Sequence, residues 1–467
     1  MGCSPYPVDV SSNFQTLPLR NELFEALEQV GYAEMTAIQS EALPAMLKGQ
    51  DVIGQAKTGS GKTAAFGLAL LNGIDLDEAA PQALVLCPTR ELAEQVAEEI
   101  RRLAQRLPNL RVVSLCGGRP SRDQVQALKG GCHVVVGTPG RVAKHQRKRD
   151  LDLRSLRVLV LDEADRMLDM GFIDQVVDII APCSKDRQTL LFSATFPDQI
   201  AQLSATVQRR PFRVEVASQV EADLLQQLVF HCERGLRWQT VANLLAKYRP
   251  ETALVFCETR DDCDRLVAFL KKKGASAFAL HGQMEQRDRE DVLLQFGNGS
   301  ASVLVSTNVA SRGLDIPALP MVIIAELSPD PENHLHRIGR TGRAGEQGLA
   351  VSVVSGEREH ARLKETEAYM MQSVPEGPEL DRAQRLEFLQ PPNRTLLILS
   401  GRKDKLRKGD VLGSLVKDGK IPPDAIGRID LMQRVCGVAV ARAFAKQALQ
   451  HVREGRIKKK RVRAQLL

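Results

Sequence analysis

Three groups of residues in this sequence have the types and spacing to act on a triphosphate. The first is Ala56-Lys57-Thr58-Gly59-Ser60-Gly61-Lys62-Thr63, which follows Asp51-Val52-Ile53-Gly54 and opens into Ala64-Ala65-Phe66-Gly67-Leu68. Strand, glycine loop and helix in that order make a P-loop. Gly59 and Gly61 let consecutive backbone N–H groups turn toward phosphate oxygens that a Cβ would crowd. The helix opening near Lys62 adds the positive end of its dipole. Lys62 is then placed to reach the β- and γ-phosphates, and the Thr63 hydroxyl to ligate Mg²⁺. Ala56 stands where the general pattern has Gly.

The second group is Asp162-Glu163, two acids delivered by the apolar run Val158-Leu159-Val160-Leu161. Adjacent carboxylates at the end of a buried strand need a cation or a reaction to justify them; the competing reading is an acidic surface turn. With a P-loop upstream, Asp162 is expected to hold Mg²⁺ and Glu163 to take the proton of an attacking water. The third group is His336-Arg337-Ile338-Gly339-Arg340-Thr341-Gly342-Arg343. Arg340 and Arg343 lie three apart, so on a helical turn they would share a face. They are expected to act as arginine fingers on the γ-phosphate, the alternative being a solvated basic stripe.

Positioning these groups requires a sheet with its strand ends gathered on one side. Short β-branched runs alternate with helical stretches: Ala83 to Cys87, Arg111 to Leu115, Val134 to Val136, Val158 to Leu161, Thr189 to Phe192 and Phe212 to Val216. That alternation argues for a parallel sheet covered on both faces, with ligands beyond the carboxyl ends of the strands. From about Glu221 the pattern restarts, with strands expected at Leu254 to Phe256, Ala277 to Leu280, Val303 to Val305, Met321 to Ala325 and Leu349 to Val353. This half has no P-loop of its own, so the nucleotide is expected between the two. A Pro- and Gly-rich stretch from Val374 to Pro378 and the pair Pro391-Pro392 then set off a C-terminal unit whose order reads βαββαβ, as in the RNA-recognition fold. Its last strand is expected over Lys460 to Leu466.

Charge follows the same division. The 467 residues carry 64 Lys and Arg against 57 Asp and Glu, but from Pro391 to Leu467 the count is 19 against 6. A segment that basic is expected to hold a polyanion. The apolar content is 43% with no membrane-length run and no signal peptide at Met1 to Tyr6, so a soluble cytoplasmic protein is expected. The nine cysteines form no C-x-x-C pair and read as reduced thiols.

Taken together, Asp162-Glu163-Ala164-Asp165, Pro88 to Ala93 (PTRELA), Thr138 to Arg141 (TPGR), Ser193-Ala194-Thr195, His336 to Arg343, Gly282…Gln286…Arg289 and Arg312 to Asp315 resemble the DEAD-box RNA helicases of superfamily 2 over residues 14 to 360. The resemblance implies an α/β fold: two tandem RecA-like doubly wound parallel-sheet domains (1–217 and 218–372), a linker (373–392) and a basic α+β RRM-like RNA-binding domain (393–467). It implies an RNA-dependent ATPase with ATP and Mg²⁺ as cofactors. Phe14 and Gln39 would recognise adenine, Asp315 would reach the ribose, and Asp165, Ser193, Thr195 and His336 would couple nucleotide state to RNA. Contacts to the RNA backbone would come from Thr89, Arg90, Gly118, Thr138 and Arg141, and from Arg260, Arg289 and Thr307. The C-terminal unit resembles that of one bacterial branch, which implies 23S rRNA and pre-50S particles as partners of a monomer.

Three departures from the family pattern stand out. Thr36-Ala37 replaces Thr-Pro, and Thr307-Asn308 replaces Thr-Asp. The latter motivates a rival reading, an ATP-gated RNA clamp without unwinding. The third strand of the C-terminal unit, Val435 to Val440, lacks stacking aromatics, so RNA there is expected on basic side chains, including Lys458, Lys459, Lys460 and Arg461.

Overall fold

The computed structural model describes residues 12–56, 59–118, 120–216, 225–308, 319–342, 347–381, 386–458 and 460–467. The first compact unit carries a sheet of seven parallel strands: β1 (Val52–Gln55), β2 (Ala83–Leu86), β3 (Val112–Leu115), β4 (Val134–Gly137), β5 (Val158–Leu161), β6 (Gln188–Ser193) and β7 (Phe212–Glu215), in the order β3-β4-β2-β5-β6-β1-β7. Alternate residues feed two apolar layers, with Val85, Val136, Val160 and Phe192 in one and Leu84, Val135, Leu159 and Leu191 in the other. Burial on both faces explains why these strands read as unbroken apolar runs. Gly54 in β1 is needed because the Phe192 ring lies where a Cβ would project. Phe192 in turn meets Phe66 at a centroid separation of 5.5 Å, tying the P-loop helix Lys62–Asn72 to the sheet.

The strand order sorts the motifs. β5, β6 and β1 are neighbours and end at Asp162, Ala194 and Ala56, while β3, β4 and β2 are neighbours and end at Cys116, Thr138 and Cys87. Every pairing is parallel, so all six ends lie on one side of the sheet.

The second unit contains a six-stranded parallel sheet, β10-β11-β9-β12-β13-β8, made of β8 (Leu225–His231), β9 (Ala253–Phe256), β10 (Ala277–Leu280), β11 (Val303–Ser306), β12 (Met321–Ile324) and β13 (Gly348–Val354). The edge strand β8 was not expected from sequence: Gln226 and Gln227 interrupt its apolar run, yet it pairs with β13 over seven residues. The described parts of the stretch 373–392 lie against this sheet. Val229 N donates to Pro375 O at 2.9 Å and Gly377 N to Val229 O at 2.8 Å, and Leu380, Leu386 and Phe388 pack on the second core.

The same unit continues into an antiparallel sheet, β15-β16-β14-β17, of β14 (Asn393–Ile398), β15 (Ile426–Leu431), β16 (Cys436–Ala441) and β17 (Ala464–Leu466). One face, with Leu396, Ile398, Val438 and Val440, packs under the helices Lys408–Gly413 and Ala445–Glu454. The expected long basic last strand is corrected: only Ala464–Leu466 pairs with β14, because Lys458 turns the chain at φ 52° and Ile457 and Lys460 close a tight bridge. The opposite face, with Thr395, Leu397, Gly437 and Ala439, is buried too. The helix Gln286–Gly297 lies across it, with the Leu294 methyl 2.5 Å from where a Gly437 Cβ would sit. Thr395 and Asn298 exchange side-chain hydrogen bonds of 2.9 and 3.1 Å. Among the described residues no helix is long and apolar enough to cross a membrane.

Candidate active site and nucleic-acid interface

The phosphate loop leaves β1 with Ala56 N donating to Ser193 O at 3.0 Å, which locks its start to the neighbouring strand. Gly59 and Gly61 have φ of 88° and 93°, where side chains are disfavoured, and a Cβ on Gly61 would lie 2.6 Å from Gln39 Nε2. Lys62 is 6% exposed with Nζ donating to Ala56 O at 2.5 Å, and Thr63 follows in the first turn of the helix. Lys57 and Thr58 lie outside the described residues, as do Asp315, Arg343 and Lys459.

Gln39 does more locally than was expected of it. Its Oε1 accepts from Thr36 N at 2.8 Å, closing a capping box on the helix Ala37–Leu47, and its Nε2 donates to Gly61 O at 3.1 Å. Thr36 Oγ1 donates to Ser60 O at 2.7 Å. The helix start is therefore held by Thr36 and Gln39 despite Ala37, and two of the loop's carbonyls are tied to it. Phe14 is buried in the first apolar layer, in a short turn capped by Asn13.

Asp162 is 3% exposed and its Oδ1 is buried with no hydrogen-bond partner. Burial pushes its carboxyl up to about 7, opposed by the Lys62 charge and reinforced by Glu163. An orphaned carboxylate oxygen beside the loop lysine suits a hard divalent cation, so the donor set fits Mg²⁺. Glu163 holds a left-handed backbone (φ 55°, ψ 53°), a strained conformation for a residue with a side chain. Its Oε2 meets Arg166 Nη1 at 2.7 Å, with both side chains at most 5% exposed. The sequence reading missed Arg166, although i,i+3 spacing from an acid was a usable signal. Asp165 Oδ2 accepts from Ala194 N (2.9 Å), Thr195 N (3.0 Å) and Thr195 Oγ1 (3.3 Å), and Asp165 N donates to Ser193 Oγ at 3.2 Å. These bonds tie the segment after β5 to the segment after β6.

On the other half of the first sheet, Thr89 caps the helix Arg90–Leu103 and Thr138 precedes the helix Pro139–Arg147, which carries Arg141. The Arg90 guanidinium lies over Gly117, 2.7 Å from where its Cβ would be, and Gly118 turns at φ 76°. All five residues expected to contact RNA in this unit therefore gather at the ends of β2, β3 and β4. In the second unit Arg260 opens the helix Arg260–Lys272 after the Thr259 cap, Arg289 Nη1 donates to His281 O at 3.3 Å, and Thr307 is buried after β11. His336 pairs with Glu332 at 3.4 Å. The helix Pro331–Ile338 ends with Gly339 as its cap, so Arg340 lies beyond it and not on the expected helical turn. Gly339 and the Leu319–Thr341 bridge break the helix there. Lys458, Lys460 and Arg461 are exposed on the turn before β17, and Lys458 Nζ reaches Lys405 O at 2.9 Å and Asp410 at 3.4 Å.

Comparisons with known proteins agree with this geometry. Residues 36–203 match the family described as DEAD/DEAH box helicase, and 237–345 match the helicase conserved C-terminal domain. A protein of Saccharomyces cerevisiae, Dbp5 bound to RNA and ADP BeF3, superposes with a TM-score of 0.71 at 30% identity, covering 78% of this chain and 96% of that one. The chain belongs to the DEAD-box ATP-dependent RNA helicases. Within them it is of the DbpA type: residues 395–466 match the DbpA RNA binding domain. It is 46% identical to the ATP-dependent RNA helicase DbpA of Escherichia coli over 94% of this chain and 96% of that protein. Identity to the DbpA of Bacillus subtilis is 35%, covering 97% and 98%.

Proposed function

We propose that this chain hydrolyses ATP to open short structured segments of 23S rRNA during large-subunit assembly, held to its target by the domain at residues 393–467. The two RecA-like domains are assigned to 1–217 and 218–372, joined to it by 373–392. In the first, Gly59 to Thr63 would cradle the phosphates, and Asp162 with Thr63 would hold Mg²⁺, which when bound screens the phosphate charge. Glu163 would orient and deprotonate the attacking water. Its carboxylate is held by Arg166, and the Asp165 hub would pass the change to Ser193 and Thr195. From the second domain Arg340 and Arg343 would stabilise charge on the transferring phosphoryl group, with His336 in the coupling. Phe14 and Gln39 would select adenine and Asp315 the ribose.

Thr89, Arg90, Gly118, Thr138, Arg141, Arg260, Arg289 and Thr307 would grip phosphates and 2′-hydroxyls, a contact type indifferent to base sequence. Specificity would therefore come from Lys458, Lys459, Lys460 and Arg461. The observation that carries the rRNA reading is the exposed basic turn of Lys458, Lys460 and Arg461 on a DbpA-type domain whose own sheet face is already covered. Its test is a K458E/K460E/R461E variant, assayed for ATPase stimulation by 23S rRNA and by poly-RNA. Stimulation by rRNA should fall at least tenfold with poly-RNA unchanged; an equal response to both RNAs in the parent chain would sink the reading. Asn308 keeps an acceptor on Arg337, which favours turnover over an ATP-gated clamp.

A further inference from the structure

Arg337 is the largest side chain that is fully enclosed in this protein, at 2% exposure among the described residues. A guanidinium cannot shed its proton, so it must find acceptors and a counter-charge where it lies. Its three hydrogen-bond partners come from the ends of three neighbouring strands. Nε donates to Asn308 Oδ1 at 2.6 Å after β11, Nη1 to the Glu326 carbonyl oxygen at 2.6 Å after β12, and Nη2 to Glu258 Oε1 after β9. Below it lies the Phe256 ring, 5.4 Å from the guanidinium carbon. The order β11-β9-β12 makes Arg337 the staple across these ends.

Of these partners only Glu258 brings a negative charge. Asn308 is neutral, and the Glu326 carboxylate is turned elsewhere, accepting from Glu258 N at 3.0 Å and lying 3.7 Å from Arg237. The Glu258 carboxylate is 31% exposed and reaches inward to the cation. The resembled family has Asp at position 308; in this chain that position is neutral, and the charge beside Arg337 comes from Glu258 at the end of β9.

We propose that Glu258 is a positioning residue for RNA-stimulated hydrolysis, holding Arg337 so that the turn at Thr307–Asn308 and the segment carrying Arg340 move as one. This rests on the roles given above to Thr307 and Arg340. Without Glu258 the enclosed cation has no anion bonded to it among the described residues, and the cheapest relief is for Arg337 to leave its seat. That lets the helix Pro331–Ile338 drift from the end of β11. A charge put back at Asn308 lands on the same guanidinium and should reseat it.

The experiment compares the full chain with E258Q, N308D and the E258Q/N308D pair, each checked by Trp238 fluorescence melting. E258Q should lower RNA-stimulated kcat at least tenfold while KM for ATP and the RNA-independent rate stay within twofold. N308D alone should stay within threefold of the parent, and the pair should return to within threefold. An E258Q variant with more than half the parent kcat overturns the proposal, as does a pair no better than E258Q. A parent chain lacking RNA-stimulated hydrolysis would overturn the functional reading instead, so the two failures are distinguishable.

Discussion

Removing Arg166 should be among the most damaging single changes in the first unit. Its Nη1 lies 2.7 Å from Glu163 Oε2 and both side chains are almost wholly enclosed, so neither charge has water to fall back on. At an effective dielectric constant near 20, two unit charges about 3 Å apart attract by roughly 5 kcal/mol. Truncating one member of such a pair typically costs about 3–5 kcal/mol because the other is left buried and unpaired. Glu163 would be left beside Asp162 on a left-handed backbone. For a domain of this size each kcal/mol moves the melting temperature by about 2–4 °C, so R166L should lower it by roughly 6–20 °C. Calorimetry of the full chain would measure this, with the fluorescence of Trp238, which lies in the second unit, as an internal control. The E163Q/R166L pair removes the stranded charge and should recover most of the loss in stability, though not in hydrolysis. An R166L protein that melts within 2 °C of its parent would show that the pair contributes nothing and that the reasoning is wrong.

Three further outcomes are expected. G61A would place a methyl 2.6 Å from Gln39 Nε2 and 2.8 Å from Thr36 Oγ1 at a φ of 93°; titration with a fluorescent ATP analogue should show at least a tenfold loss of affinity. His334 is buried and its imidazole is pushed down to about 4, first by burial and then by the Arg337 charge. Between pH 6.5 and 4 the unfolded chain takes up this proton and the folded one does not. Stability should therefore fall by up to about 3 kcal/mol as pH drops through that window, and level off below it. H334L should flatten that part of a denaturant-midpoint profile; an unchanged slope counts against it. G437V would drive a side chain into Leu294, whose methyl is 2.5 Å from the Cβ position. The C-terminal sheet should come away from the helix Gln286–Gly297 while keeping its own fold, seen as faster proteolysis within 373–392; equal cleavage rates would refute the docking.

Much of this was legible because the chemistry is local. A glycine loop between a strand and a helix, or two acids ending an apolar run, places its atoms through neighbours in sequence, and parallel strands buried on both faces announce themselves as apolar runs. What failed depended on partners far along the chain. β8 has polar residues at its start and is a strand because β13 provides the ladder. The basic run before β17 has the length of a strand but turns at Lys458. Helical spacing for Arg340 ignored Gly339, which ends the helix first. The missing aromatics of β16 were visible, but not their reason: that face meets the helix Gln286–Gly297, more than a hundred residues upstream.

This burial fixes a length scale. A binding domain on a loose string would let its host reach any duplex within the string's radius. Here Asn298 and Leu294 clasp the sheet, so the span from the basic turn of Lys458, Lys460 and Arg461 to Thr307 is set as on a pair of calipers. On the proposed function, with RNA anchored at that turn, duplexes at one separation from it would be opened and those nearer or farther passed over, without a single base being read.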